Sequence, residues 1–346
     1  MSRNSDASMK VGINGLGRIG RNVLRRLWET RLHRCVHIND LNPDIENIAY
    51  LILHDSVLGR FPGHVRVSGP RQITLESGRE RWQIQVSNER VIKNVDWSEV
   101  ACVIDSSGVE ANALAARELN GPRHVIVTHS FTEADITLVF GVNEKLFDPS
   151  RHRVISSSIC DAIAIAPVLK AVSDQCGVEQ VFITTMHPWL SYQNIMDGPS
   201  RSDANPSSTY TYYPLGRASV GALIPKPTTV GKVLESVVPA LKNRVLSFSY
   251  RVPTAVVASA DISLVTSCAV DTRRLETMLL SLNERLVRCS NEMLISVDYE
   301  GETASAVVDQ RWLEVRDERY VKLVLWYDNE FGYSSRVVDI LDLICK

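Results

Sequence analysis

The chain has 346 residues, of which 45% are hydrophobic and 23% are charged, and its formal net charge is −2. These values are ordinary for a soluble protein of about two domains, and they give no electrostatic reason to expect nucleic acid or an anionic membrane as the main partner. No apolar run reaches the length needed to span a bilayer. We therefore expect a small-molecule partner, with no nucleic acid and no membrane.

The seven cysteines form an odd set without a C-x-x-C pair, and no apolar export signal precedes them. We interpret them as reduced thiols and predict a cytoplasmic location. The polar first ten residues are expected to form a loose arm. No spacing in the chain indicates a metal site, and none is predicted.

The first predicted elements are a strand, a glycine turn and a helix. Residues 11–14 form the strand, and apolar residues then recur at helical spacing, at Ile19, Val23, Leu24, Leu27 and Trp28. Gly15 permits a tight turn, Gly17 lets the backbone approach a pyrophosphate, and Gly20 allows close packing of the helix on the sheet. This order is typical of dinucleotide binding, with the phosphates at the helix N-terminus.

A second strand at residues 36–38 ends close to Asp40. An acidic residue about 20 residues after the glycine turn can accept hydrogen bonds from the ribose hydroxyls of the adenosine. Its charge would repel the additional phosphate of NADP, so NAD is the favoured cofactor. The alternative is a structural glycine turn with a solvated Asp40.

Further strands are predicted at residues 101–105, 124–127 and 136–140, alternating with helical or loop segments. This alternation predicts a Rossmann domain built on a parallel sheet. Ser106, Ser107 and Gly108 follow one strand at the edge where cofactors lie in such sheets. A contact with the cofactor and a plain turn are both open interpretations of this segment.

Cys160 lies where an apolar β-like run meets an apolar helix. Unpaired backbone N–H groups at a helix start favour a thiolate. His187 follows a second apolar run and could serve as the base, because imidazole exchanges protons near neutrality. The pair predicts thiol chemistry on a carbonyl carbon, whereas the alternatives are an inert buried thiol and a strand-end histidine.

After Cys160 the pattern changes to one apolar helix followed by long runs, among them residues 180–185 and 256–267, with fewer helices between them. This pattern predicts an α+β domain with a mainly antiparallel sheet. Residues 190–217 form a long polar loop of the kind that is functional or disordered. It carries Arg201 and the tyrosines Tyr210, Tyr212 and Tyr213.

In its motifs the chain resembles the glyceraldehyde-3-phosphate dehydrogenase family over nearly its whole length. The matching segments, in the family's order, are residues 14–21, 38–41, 54–56, 59–61 and 141–143, Cys160, His187, and residues 251–254 and 326–333. The resemblance implies an NAD-binding Rossmann domain over residues 1–159 and a catalytic domain over residues 160–329. A C-terminal helix over residues 330–346, with Val337, Val338, Leu341 and Ile344 at helical spacing, would pack back on the first domain.

The resemblance also implies a mechanism. Cys160 attacks an aldehyde, a hydride passes to NAD, and an acceptor releases the thioester, with His187 as general base. Asn329 would hold the nicotinamide carboxamide and Tyr333 would pack beside it. The complete set of implied cofactor contacts is Asn14, Gly15, Gly17, Arg18, Ile19, Gly20, Asp40, Ser107, Gly108, Thr128, Asn329 and Tyr333.

The chain departs from the family around its phosphate sites. The usual segment Ser-Asn-Ala-Ser-Cys-Thr-Thr-Asn is replaced here by residues 156–163, so that Ile159 and Asp161 flank the nucleophile. Two like charges about 4 Å apart cost roughly 4 kcal/mol at an effective dielectric of about 20, so Asp161 would oppose a phosphate acceptor and could raise the thiol pKa. Its alternative role is an ordinary acidic residue of a first helical turn.

Other positions of the substrate pocket differ as well. Leu190 and Tyr192 replace a threonine and an aspartate of the family, Leu215 replaces an arginine, and Thr229 replaces the glycine after Thr228. The remaining candidates for contact with the substrate are Arg251, Arg217, Thr228 and Asp161. Surface ion pairing is the alternative for Arg217.

The favoured hypothesis is NAD-dependent oxidation of a small aldehyde, with or without a phosphate group, by a divergent family member. The alternatives are an ordinary phosphorylating glyceraldehyde-3-phosphate dehydrogenase and a non-catalytic NAD-binding scaffold. The resemblance further implies a homotetramer. The identity of the aldehyde and the choice between phosphate and water as acyl acceptor stay open at this point.

Overall fold

The computed structural model describes residues 8–200 and 212–345. The described chain divides into two compact units, one formed by residues up to Thr137, by Phe147–Ser157 and by residues from Ser334 on, the other by Leu138–Leu146 and Ser158–Tyr333. Most of the expected N-terminal arm, and Arg201 and Tyr210 of the long loop, lie outside the described residues. No helix in the described part combines the length and the apolar character needed to cross a bilayer.

A nine-stranded sheet forms the centre of the first unit. Its order is β10-β11-β9-β8-β1-β2-β7-β6-β5, and its pairings are parallel except β5 with β6 and β6 with β7. The strands are β1 (Lys10–Asn14), β2 (Arg34–Asn39), β5 (His64–Gly69), β6 (Gln72–Ser77), β7 (Glu80–Ser87), β8 (Cys102–Asp105), β9 (His124–Val127), β10 (Ile136–Thr137) and β11 (Val154–Ser156), with a separate ribbon of β3 (His54–Asp55) and β4 (Gly59–Arg60) and helices α1 (Arg18–Thr30), α2 (Ile45–Leu53) and α3 (Glu110–Ala115).

The parallel part of this sheet confirms the predicted Rossmann fold. The strand expected at residues 136–140 is shorter, since β10 ends at Thr137 and the chain there enters the second unit. Leu138 and Val139 are nevertheless fully buried, and a short apolar run by itself does not distinguish a strand from other buried chain. The antiparallel extension β5–β7 was not predicted.

The second unit contains an eight-stranded sheet of order β13-β14-β12-β15-β19-β17-β16, with β18 beside β19. Only β12 with β14 and β16 with β17 are parallel, which confirms the mainly antiparallel prediction. Its elements are α4 (Cys160–Cys176), β12 (Val178–Pro188), β13 (Ile224–Lys226), α5 (Val230–Val237), β14 (Val245–Val252), β15 (Ala258–Thr266), α6 (Thr272–Leu280), β16 (Val287–Ser290), β17 (Ala306–Asp309), β18 (Glu314–Arg316) and β19 (Tyr320–Tyr327). The last helix, α7 (Phe331–Ile344), begins in this unit and continues in the first, which contains the residues from Ser334 on.

Helix α4 fixes the position of Cys160. Most of its residues are buried, and it packs against β15, β12 and α5. It ends where Gly177 adopts a φ of +63°, a conformation that suits glycine. Burial of Asp161, Ala162 and Ile163 therefore holds the first turn of α4 in one place, with Cys160 as its first residue.

Candidate active site

The glycine turn of the first unit is shaped by close backbone approaches. Gly15 has a φ of +89°, and a Cβ atom there would come within 2.8 Å of the Ser107 backbone. A Cβ at Gly20 would lie 2.1 Å from the Gly15 carbonyl oxygen, whereas a Cβ at Gly17 would meet no atom within 4 Å. The fold itself thus requires two of the glycines, and the third leaves open space at the N-terminus of α1, as a pyrophosphate would need.

Asp40 is held against this turn. Its Oδ2 accepts a hydrogen bond from the Leu16 N–H at 2.6 Å, and its Oδ1 accepts one from the Asn42 N–H at 2.9 Å. The carboxylate is therefore fixed beside the glycine turn, where the sequence predicted a ribose ligand.

A chain of side chains joins neighbouring strand ends below the turn. The Asn39 amide donates to Asn14 Oδ1, and the Asn14 amide donates to Asp105 Oδ1, each at 2.8 Å. Thr128 donates from Oγ1 to the Asp105 carbonyl at 3.1 Å. Burial raises the pKa of Asp105. Asn14, Asp40 and Thr128 thus share the carboxyl edge of the parallel sheet, where ligands bind in this fold class.

Four predicted cofactor residues remain in this unit, and two of them, Arg18 and Ser107, have local partners. Arg18 forms an ion pair of 2.5 Å with Asp55, and Ser107 Oγ accepts from the Val109 N–H at 3.2 Å. Gly108 has a φ of +68°, and Ile19 lies in the first turn of α1. All of these positions border the same turn or the segment after β8.

The second unit brings Cys160 and His187 together. The Cys160 Sγ lies 3.4 Å from His187 Nε2, although 27 residues separate the two positions. His187 Nδ1 lies 2.8 Å from the Pro188 carbonyl oxygen, to which it can only donate. This contact places the proton on Nδ1 and leaves the Nε2 lone pair directed at the sulfur, as a general base requires.

Asp161 is a third member of this centre. Its Oδ1 accepts a hydrogen bond from the Tyr327 hydroxyl at 2.8 Å and lies 3.5 Å from Cys160 Sγ. Asp161 is only 5% exposed, so its carboxylate cannot turn away into solvent. The donor atoms of Cys160, Asp161 and His187 all lie within 4.8 Å of one another, a set that could hold a divalent metal.

The charges of this centre favour a neutral resting pair. Burial, reinforced by Asp161, raises the pKa of Cys160 well above its usual value, and Arg251 offsets this only in part. Burial and the Arg251 charge lower the pKa of His187 to about 4. At neutral pH a thiol therefore faces a neutral imidazole. The expected thiolate at the start of α4 is not favoured, because burial and Asp161 outweigh the helix end.

Two cations act on the same centre. Arg251 lies opposite His187 in the register of β12 and β14. It donates from Nη2 to the Tyr192 hydroxyl at 3.3 Å, and its buried Nε has no hydrogen-bond partner among the described residues. Burial and Arg251 lower the pKa of Lys226, on which Asp161 and Cys160 act in the opposite direction. These contacts make Arg251 and Lys226 the candidate receptors for an anionic group.

The sequence did not indicate Lys226 or Tyr327. Lys226 reaches the centre because β13 pairs with β14 next to Arg251, a pairing that has no local signal. Tyr327 belongs to the segment that carries the family resemblance, but the resemblance implies roles only for its neighbours Asn329 and Tyr333. Contacts of this kind depend on the packing of distant strands.

Two predicted substrate residues have other partners. Arg217 forms an ion pair of 2.9 Å with Asp197, and the two side chains are 71% and 60% exposed. Thr228 accepts from the Val230 N–H at 3.3 Å. Within the described residues neither forms a hydrogen bond or ion pair with Cys160, His187 or Arg251.

Asn329 and Tyr333 lie in the second unit. Asn329 is 5% exposed, and its buried Oδ1 lacks a hydrogen-bond partner among the described residues. An amide N–H₂ donor such as that of nicotinamide would supply that hydrogen bond. Tyr333 donates to the Ser158 carbonyl at 3.3 Å. The orphaned oxygen of Asn329 therefore fits a nicotinamide carboxamide.

Family models match both halves of the chain. The model for the NAD-binding domain of glyceraldehyde 3-phosphate dehydrogenase matches residues 9–113, and the model for its C-terminal domain matches residues 159–329.

Curated relatives match nearly the whole chain. A glyceraldehyde-3-phosphate dehydrogenase of Geobacillus stearothermophilus is 35% identical over 98% of this chain and 99% of the relative. Glyceraldehyde-3-phosphate dehydrogenase 1 of Schizosaccharomyces pombe is 33% identical over 96% of each. A glyceraldehyde-3-phosphate dehydrogenase of Echinococcus multilocularis is 30% identical over 97% of this chain and 98% of the relative.

Proposed function

Since the chain belongs to the glyceraldehyde-3-phosphate dehydrogenase family and is an NAD-dependent oxidoreductase, we propose that it oxidises a small aldehyde, with or without a phosphate group, through covalent intermediates on Cys160. The observation that carries this proposal is the 3.4 Å contact between Cys160 Sγ and His187 Nε2. The contact from His187 Nδ1 to the Pro188 carbonyl supports it, because that contact fixes the tautomer in which Nε2 can accept a proton.

In the proposed reaction His187 takes part in three proton transfers. It takes the thiol proton as Sγ bonds to the aldehyde carbon, and it returns this proton to the new alkoxide oxygen, which gives a neutral thiohemiacetal. It then removes the hydroxyl proton while the carbon loses its hydride and becomes a thioester. NAD, when bound, supplies the hydride acceptor. The lowered pKa of His187 suits a group that must be neutral at the start of each transfer.

The substrate is proposed to carry an anionic group. The buried Nε of Arg251 has no partner among the described residues, and Lys226 adds a second positive charge. A guanidinium with a free donor is suited to a carboxylate or phosphate oxygen. Arg251 and Lys226 are therefore the proposed substrate-binding cations, and Arg217, paired on the surface with Asp197, has less support.

The similar proteins are glyceraldehyde-3-phosphate dehydrogenases, and this similarity favours a second candidate, the ordinary phosphorylating enzyme. Ile159 and Asp161 beside the nucleophile argue against it, because they replace hydroxyl groups of the family's segment with an apolar group and a charge. The requirement for phosphate separates the two candidates.

Other properties belong to the same proposal. The seven cysteines are free thiols, which supports a cytoplasmic location. Membership of the family supports a homotetramer. The domain limits of residues 1–159 with 330–346, and of residues 160–329, stay a prediction.

The experiment that tests the proposal follows NADH absorbance with a panel of aldehydes, including glyceraldehyde 3-phosphate, glyceraldehyde and short carboxy-aldehydes, each with and without phosphate. We expect turnover of at least one aldehyde by the parent and none by Cys160→Ser. Absence of NADH with every aldehyde, while NAD still binds, would support the non-catalytic scaffold.

A further inference from the structure

The Asp161 carboxylate is fixed beside the nucleophile, yet the protein uses only one of its oxygens. Oδ1 accepts from the Tyr327 hydroxyl at 2.8 Å and lies 3.5 Å from Cys160 Sγ. Oδ2 forms no hydrogen bond within the described residues. Several side-chain atoms of the protein lack a partner and are also closed off from solvent, but Oδ2 is not one of them. Oδ2 is therefore the oxygen left for a water molecule, and Oδ1 of the same carboxylate lies 3.5 Å from the sulfur.

We propose that Asp161 is the general base that activates water against the Cys160 thioester, so that the acyl group leaves as a carboxylic acid and not as an acyl phosphate. This inference rests on the proposed function, because it needs an acyl group on Cys160. It adds a catalytic residue and names the acceptor that the family resemblance leaves open.

Electrostatics separate the two acceptors. An acceptor must approach the carbon bonded to Sγ, and Oδ1 lies only 3.5 Å from that sulfur. A phosphate charge about 4 Å from a carboxylate costs roughly 4 kcal/mol at an effective dielectric of about 20, which corresponds to several hundredfold in binding. Water carries no charge and gives up a proton as it attacks, so the same carboxylate assists it.

The carboxylate and the imidazole have different tasks in this step. The water oxygen bonds to the thioester carbon while one of its protons passes to Asp161, and the C–S bond breaks as Sγ takes the proton that His187 removed in the preceding step. The products are a carboxylic acid and the free thiol, and Asp161 then loses its proton to solvent. The full reaction converts aldehyde, NAD⁺ and water into carboxylate, NADH and two protons.

The neighbouring groups are compatible with this division of tasks. Tyr327, which is 1% exposed, holds Oδ1 in place. Lys226 and Arg251 are the positive charges that act on Asp161 or Cys160, and they can stabilise the oxyanion that forms when water adds to the thioester. The site thus contains a base, a proton donor for the sulfur and counter-charges for the oxyanion.

The test uses p-nitrophenyl acetate, which acylates a reactive cysteine without NAD or an aldehyde. Acylation forms the Sγ–C bond and releases p-nitrophenolate while His187 takes the thiol proton, and hydrolysis of the acetyl enzyme follows. For the parent protein we expect a burst of p-nitrophenolate, then a steady rate that added phosphate does not increase. Mass spectrometry of the quenched burst locates the acetyl group on Cys160.

Asp161→Asn should keep the burst and lower the steady rate about a hundredfold, within the range for loss of a general base. Asp174→Asn removes an exposed charge from the same helix and should leave both phases unchanged. Tyr327→Phe keeps the carboxylate and removes its hydrogen bond, so its steady rate should fall severalfold; it provides the test if Asp161→Asn does not fold.

Two results would overturn the inference but not the proposed function. In the first, the acetyl group on Cys160 is hydrolysed as fast in Asp161→Asn and Tyr327→Phe as in the parent. In the second, the steady rate rises with phosphate and the product is acetyl phosphate. Absence of acylation at Cys160 in the folded parent would overturn the proposed function together with the inference.

Discussion

The Oδ1 atom of Asp161 lies 3.5 Å from the sulfur of Cys160, so the nucleophile and a buried carboxylate are the first two residues of one helix. The negative charge and the burial of the sulfur together raise the thiol pKa. They outweigh the backbone N–H groups at the start of α4, which alone would lower it. The enzyme therefore rests with a protonated nucleophile, and the charge of Asp161 should be measurable in its reactivity.

Asp161→Asn should lower the pKa of Cys160, because the neutral amide no longer opposes the thiolate. Because alkylation requires the thiolate, the pH profile of the alkylation rate should move to lower pH. At a pH below the thiol pKa, the alkylation rate should rise about tenfold for every pH unit by which the profile moves. The measurement is the rate of iodoacetamide labelling of Cys160 by mass spectrometry. A Cys268→Ser background removes an exposed thiol that would also be labelled. Asp174→Asn is the control for the loss of a negative charge. An unchanged pH profile in Asp161→Asn would contradict the effect of Asp161 on the thiol pKa.

The acid limb of the acylation reaction should reflect His187. Its pKa is about 4, so the imidazole is neutral, and able to accept the thiol proton, at every pH above that value. The burst rate with p-nitrophenyl acetate should therefore stay level from about pH 5 to about pH 7 and fall as the pH drops toward about 4. Above pH 7 it should rise, because the thiol with its raised pKa begins to ionise. His187→Asn should slow the burst by about 10²–10⁴-fold. An inflection near the ordinary histidine pKa would contradict the lowered value.

Two of the three glycines of the turn, Gly17 and Gly20, should respond differently to alanine. At Gly17 an added Cβ meets no atom within 4 Å, so Gly17→Ala should change the free energy of unfolding by less than about 0.5 kcal/mol while weakening NAD binding at least tenfold. At Gly20 the Cβ would lie 2.1 Å from a carbonyl oxygen, and Gly20→Ala should cost about 1–3 kcal/mol of stability. Denaturant titration and NAD calorimetry measure both quantities. Unchanged NAD affinity in Gly17→Ala would place the pyrophosphate elsewhere.

Arg251 and Arg217 form a matched pair for substrate binding. Arg251→Met should raise KM for an anionic aldehyde about tenfold to a hundredfold, as expected for loss of a charged hydrogen bond of about 1.5–3 kcal/mol. Arg217→Ala should leave KM within about twofold, since this side chain is exposed and paired with Asp197. Steady-state kinetics with one anionic and one neutral aldehyde separate charge recognition from misfolding. Equal effects of the two variants would remove Arg251 from the substrate site.

The sequence predicted what local patterns determine. The glycine turn, the strands near Asn14 and Asp40 and the helix that begins at Cys160 follow from periodicity and from glycine positions, and they occur in the structure. Residues 80–87 alternate apolar and polar side chains, a pattern that predicts a strand, and the structure places β7 there. Lys226 and Tyr327 could not be predicted in this way, because they meet Asp161 and Arg251 only after distant strands pair.

The most direct test of NAD-linked aldehyde oxidation at Cys160 is to mix the parent enzyme with NAD and each aldehyde of the panel. NADH is followed by absorbance, and the quenched protein is examined by mass spectrometry. NADH should form with at least one aldehyde together with an acyl adduct on Cys160, and Cys160→Ser should give neither. NADH formation that persists in Cys160→Ser, or turnover without an adduct on this residue in rapidly quenched samples, would contradict aldehyde oxidation at Cys160.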